Sequence, residues 1–86
     1  FPFLSFRSPW KLEFYLESAL DKVSLAIDQT KNSNQKFMYI DTKAEVLWKL
    51  GRIEEAILEI DKCTLGKPDD KYYKEQKEKF KNSLKI

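Results

Sequence analysis

The sequence predicts an all-α protein. Only two glycines and three prolines occur in 86 residues, so strand-and-turn breakpoints are few. Charged residues make up 35% of the chain and aromatics 14%, a balance that favours helices. Apolar residues recur at three- and four-residue spacing through most of its length, which is the period of one helical stripe. A chain this short is one domain at most and buries only about 60% of its unfolded surface, so a small, locally connected fold is expected.

Residues 1–8 are read as an extended aromatic arm or a severed linker, and residues 9–86 as the helical domain. The chain opens on Phe1 and has neither the charged start nor the long apolar run of a signal peptide, so it reads as a cut end, of a processed protein or of a piece of a longer one. Three readings stand for Phe1, Phe3 and Phe6: an arm across the first helix, a seam to another domain, or a plug for the groove of a second copy. The last makes a homodimer through the aromatic segment.

Ser8 supplies an N-cap and Pro9 a first helical residue whose missing N–H costs nothing, predicting a short helix over 9–16. Trp10, Leu12, Phe14 and Leu16 make it apolar nearly all round. Ser18, with Asp21 three residues on, resembles a second cap, so a second helix is expected over 19–31 with the stripe Ala19, Leu20, Val23, Ala26, Ile27 and Thr30. Residues 32–36 have loop composition. The third helix, 37–50, follows the stripe Phe37, Ile40, Ala44, Leu47 and Leu50. The fourth, 52–65, follows Ile53, Ala56, Ile57, Ile60 and Cys63, with Glu54 and Glu55 at its positive end.

Gly51 divides these last two. In mid-helix it would cost roughly 1 kcal/mol relative to alanine, inside a helix far longer than usual. As a left-handed cap it ends one helix and lets the chain return, and neither objection applies. Gly66 is expected to cap the fourth helix in the same way, with Pro68 preventing continuation. Asp69 and Asp70 open a fifth helix over 70–84, whose packing face holds Tyr72, Tyr73, Phe80 and Leu84 with Gln76 between.

Sixteen Lys and Arg against fourteen Asp and Glu give a net charge of +2, which implies neither a nucleic-acid partner nor an anionic membrane. The lysines of 71–81 alternate with Glu75 and Glu78, and Glu75 precedes Lys79 by the favourable four residues, so they read as a solvated face ahead of a patch for an acidic partner. With no histidine and Cys63 alone, an intramolecular disulfide and a Cys/His zinc site are both excluded within this chain, and no metal or other cofactor is implied. Cys63 reads as a small buried hydrophobe. A lone cysteine leaves the compartment open, the cytoplasm or a bacterial periplasm. No apolar run is long enough to span a membrane.

Helix, glycine, helix, proline, helix is the order of a known repeat. The run 37–68 resembles one tetratricopeptide repeat (TPR), whose signature is W-x2-L-G-x2-Y, A-x3-F and P over about 34 residues. Ala44 matches the small residue of the first helix, Leu47 stands where the large aromatic falls and Gly51 takes the turn. Ala56 and Cys63 match small residues of the second helix, Ile60 the Phe and Pro68 the closing proline. Ile40 replaces the Trp, and Lys43 departs from the pattern where Leu is usual. The phrase Leu-Gly-Arg-Ile-Glu-Glu-Ala-Ile, 50–57, is especially typical. A divergent earlier copy aligns Ser18 with Gly51, Val23 with Ala56 and Ile27 with Ile60. The resemblance implies a right-handed stack of two antiparallel helix pairs, the first divergent, closed by a capping helix. A narrower resemblance, on Asp41-Thr-Lys-Ala and Leu47-Trp-Lys-Leu-Gly, is to the helical tails of some bacterial thioredoxin-fold proteins. It implies a structural appendage of an oxidoreductase whose catalytic domain lies elsewhere.

In the repeat family the first helix of each pair lines a concave face that receives peptides or partner helices. The resemblance therefore implies a groove lined by Met38, Asp41, Thr42, Glu45, Trp48 and Lys49, with Asp69 and Asp70 at its edge. Asp41 and Glu45 would repel a carboxylate, so a basic or neutral protein partner is expected. Trp48 lies off the Ile40, Ala44, Leu47 stripe. It is either an exposed anchor, whose replacement by alanine weakens binding with little loss of helicity, or a packing residue against a neighbouring helix or the N-terminal Phe segment. Catalysis has no constellation: Glu54 and Glu55 are adjacent and diverge, and Tyr72 and Tyr73 lack any phosphate loop that would make them a nucleotide stack. A non-catalytic interaction or scaffolding module is the function expected.

Overall fold

The computed structural model describes residues 9–84, and their side chains from Phe14 onward. The arm or linker expected over 1–8 lies outside the described residues, as do the side chains of Trp10 and Leu12. Four helices follow one another: α1 Pro9–Gln29, α2 Ser33–Lys49, α3 Ile53–Gly66 and α4 Lys71–Ser83. The described chain is all-helical, and each helix packs mainly on the next.

The break expected near Ser18 is absent, and the helices foreseen over 9–16 and 19–31 are one. A cap residue stops a helix only when the chain also has a reason to leave it, and no glycine or proline stands between Leu16 and Ala19. Serine inside a helix costs only a few tenths of a kcal/mol. Against that small penalty, Leu16, Leu20, Val23 and Ile27 continue as a single stripe at four, three and four. The first helix pair is therefore one long helix.

α2 also begins earlier than expected. The Asn32 side chain accepts a hydrogen bond from the Gln35 backbone N–H at 3.0 Å, and the Asn32 carbonyl takes the Lys36 N–H at 2.9 Å. The polar run foreseen as a loop is a cap and a first helical turn. Polarity alone does not distinguish the two, because the first turn of a helix is often solvated.

The corner at Gly51 is as expected. Its φ is +84°, the Gly51 N–H donates to the Trp48 carbonyl at 3.0 Å and the Arg52 N–H to the Leu47 carbonyl at 2.9 Å. These two bonds are the Schellman closure of a helix end. No atom lies within 4 Å of where a Cβ would stand, so the preference for glycine is purely conformational. Gly51→Ala is expected to cost about 1–2 kcal/mol, lowering the thermal midpoint by about 4–8 °C per kcal/mol, and Gly51→Asn less. A melt of Gly51→Ala superimposed on the parent's would rule out this role.

Gly66 works differently from expectation. It remains in α3, and Gly51 is the one described glycine with positive φ. A Cβ at Gly66 would fall within the ring of Phe37, so the residue serves close approach of the start of α2 to the end of α3. After it, Asp70 caps α4, its carboxylate accepting the Tyr72 N–H at 3.0 Å.

The core joins Ile40, Ala44 and Leu47 of α2 to Ala56, Ile60 and Cys63 of α3, and Tyr73 and Phe80 of α4 close it. Ala44 and Ala56 are fully buried, which lets the α2 and α3 backbones approach closely. Leu20 and Ile27 bring α1 against the same cluster. Lys43, the departure from the repeat pattern, is held by Glu59 at 3.7 Å.

Candidate functional site

With Ile40, Ala44 and Leu47 turned into the core, helical periodicity turns Met38, Asp41, Thr42, Glu45 and Lys49 to a neighbouring face of α2. α4 lies along that face. Between them is a cleft of about 470 Å³, lined by Asp41, Thr42, Glu45, Val46 and Lys49 of α2, Tyr72, Gln76 and Lys79 of α4, and Leu16 of α1.

Gln76 organises the floor. Buried to 7% exposure, its side-chain amide donates through Nε2 to Asp41 Oδ1 at 3.1 Å and to Glu45 Oε1 at 2.9 Å. Lys79 Nζ adds bonds to both Glu45 oxygens, at 3.1 and 3.3 Å. The two carboxylates consequently differ. Burial pushes the Asp41 carboxyl above the ordinary aspartate value, against the pull of Gln76, and the nearby Glu45 charge pushes the same way. Burial also pushes Glu45 up, but the hydrogen bonds from Gln76 and Lys79, with the charges of Lys79 and Lys49, outweigh it and hold Glu45 below its ordinary value. Tyr72, on the cleft wall, is raised by burial and by the charge of Asp41.

Four of the six residues expected on the groove, Asp41, Thr42, Glu45 and Lys49, line this cleft. The Thr42 hydroxyl donates back to the Met38 carbonyl at 3.0 Å, so it presents its methyl side as much as its oxygen. Met38 is exposed (62%) but is not part of the lining. Trp48 is half-buried against α4: its indole N–H donates to Ser83 Oγ at 2.8 Å, its ring sits 5.8 Å from that of Phe80, and Lys79 Nζ stands 4.3 Å from its centroid. Of its two readings, packing against a neighbouring helix matches this placement. Asp69 and Asp70 do not line the cleft.

Leu16, Val46, Tyr72, Gln76 and Lys79 line the cleft without being among the expected groove residues. Tyr72, Gln76 and Lys79 recur at four and three along α4, a stripe adjoining the Tyr73, Gln76, Phe80 packing face, and that spacing was the available signal. Lys79 was expected to pair with Glu75 on its own helix but turns across to Glu45.

Other candidates are occupied in the fold. Cys63 is fully buried, its thiol donates to the Phe37 carbonyl at 3.4 Å, and burial, helped by the charges of Asp41, Glu59 and Asp70, pushes its pKa up to about 12. A protonated, enclosed thiol is a poor nucleophile. Glu55 is gripped by both ends of the Arg52 guanidinium, at 2.7 and 2.8 Å. Tyr73 belongs to the core and meets Tyr72 edge-on at 5.7 Å. No described helix is long and apolar enough to cross a membrane. No family model, curated protein or solved structure matches this chain.

Proposed function

We propose that this chain is a non-catalytic protein-interaction module of TPR-like design, which takes a peptide or a partner helix in the cleft between α2 and α4. The carrying observation is the cleft itself. Three helices contribute to it, and its polar groups are fixed by Gln76 and Lys79 before any ligand arrives. Preorganised polar groups reduce the ordering cost of binding. Its volume lies in the range of small-ligand and peptide-side-chain sites, roughly 300–1,000 Å³. The apolar wall of Leu16 and Val46 adds the non-directional part of an interface core.

Panning a displayed library of random dodecapeptides against the full chain tests this. Thr42 is exposed and its hydroxyl bonds only within α2, so Thr42→Tyr fills the cleft with little effect on the core. Selected peptides are expected to lose about tenfold or more in affinity for Thr42→Tyr, equivalent to about 1.4 kcal/mol. Failure to select binders, or binders indifferent to the substitution, would overturn the cleft as the binding face.

A further inference from the structure

The cleft is electrically uneven along its length. At one end Glu45 has Lys79 on both oxygens, and Lys49 acts on the same carboxylate. At the other end the hydrogen-bond partners of Asp41 are neutral: the Gln76 amide, on one of its two oxygens, and the Tyr72 hydroxyl. Among the described residues no cation stands within ion-pair distance of Asp41. The Lys79 ammonium, whose charge reaches Asp41, sits on Glu45. A half-buried carboxylate in this position is destabilised by burial and by its acidic neighbour, and a cation brought by a ligand would relieve both effects.

The wall beside Asp41 specifies the shape of that cation. Tyr72 lines the same cleft and keeps 54% of its surface exposed. A half-exposed tyrosine ring beside the carboxylate that its hydroxyl bonds favours a planar guanidinium, which can stack on a ring and direct its N–H groups at the acid, over a compact ammonium. Leu16 and Val46 provide apolar surface for the methylene stem and for a neighbouring aliphatic residue.

We infer that the cleft recognises a peptide through an arginine side chain, its guanidinium paired with Asp41 and lying on Tyr72, with an aliphatic neighbour against Leu16 and Val46. This rests on the interaction-module reading and adds the chemistry of the partner to it.

Acetylated, amidated heptapeptides Ala-Leu-Ala-X-Ala-Leu-Ala, with X as Arg, Gln or Glu, are the probes. Binding is followed on the isotope-labelled full chain by backbone amide shifts. The arginine peptide is expected to move amides within 41–49 and 72–79, and to bind about tenfold or more tighter than the glutamine and glutamate peptides. Asp41→Asn keeps the acceptor for Gln76 while removing the charge, so the fold is retained, and it is expected to abolish the arginine preference. Glutamine and arginine peptides binding the cleft equally, or an arginine preference that survives Asp41→Asn, would overturn the inference and leave the peptide-binding cleft standing. Absence of cleft shifts with every probe would also overturn the inference. If library peptides are then blocked by Thr42→Tyr, only the arginine specificity has failed, and if they are not, both readings fall together.

Discussion

Phe80→Ala is expected to cost about 3–5 kcal/mol, the range for truncating a fully buried phenylalanine. The side chain has no exposed surface and closes the core over α2 and α3 from the far side. At roughly 0.05–0.15 kcal/mol per residue the whole chain is stable by about 4–13 kcal/mol, so one truncation removes a large share. The loss falls unevenly. α4 has two buried apolar anchors, Tyr73 and Phe80, with the polar Gln76 between them, and an isolated helix of its length is marginal in water. Its release is therefore the first consequence. Hydrogen exchange is expected to show protection lost within 72–83 while the α2 and α3 amides near Ile60 stay protected. Uniform loss across all helices, or a urea midpoint close to the parent's, would contradict this arrangement.

The same weakness of α4 explains why the site was half legible in the sequence. The α2 half could be read because it needs one helix period only: once Ile40, Ala44 and Leu47 are the buried stripe, Asp41, Thr42, Glu45 and Lys49 must share another face. The α4 half depends on where one helix lies against another. Tyr72, Gln76 and Lys79 are unremarkable in a lysine-rich helix until α4 is laid across Asp41 and Glu45. Gln76 in particular reads as a polar interruption of the packing face, whereas in the fold it is the residue that joins the two carboxylates.

The fold was legible in proportion to how firmly local chemistry constrains the backbone. Gly51 could be placed because a left-handed corner excludes most other residues. Ser18 misled because a capping side chain is only a preference, and an uninterrupted apolar stripe from Leu16 to Ile27 overrode it. Gly66 misled in a different way. Glycine answers two needs, positive φ and close approach, and only the position of the Phe37 ring shows that the second applies.

Trp48→Ala separates the two roles that its sequence position allowed. As a packing residue it is expected to cost about 2–3 kcal/mol, below the 3–5 of a fully buried aromatic because part of the ring remains exposed. Three contacts contribute: the tilted ring pair with Phe80, the indole N–H to Ser83 Oγ, and the Lys79 ammonium over the ring. Trp48→Phe keeps an aromatic ring and deletes the N–H, so it is expected to cost about 0.5–1.5 kcal/mol. In a double-mutant cycle with Ser83→Ala that hydrogen bond is expected to appear as a coupling of similar size. Lys79 connects these losses to the cleft, since the ammonium above Trp48 is the one that holds Glu45. Trp48→Ala therefore lowers stability and loosens the compensated end of the cleft together, with urea unfolding and peptide affinity changing in parallel. A variant as stable as the parent that nevertheless loses the library peptides would instead make Trp48 a direct anchor, with its contacts to α4 contributing little to the fold.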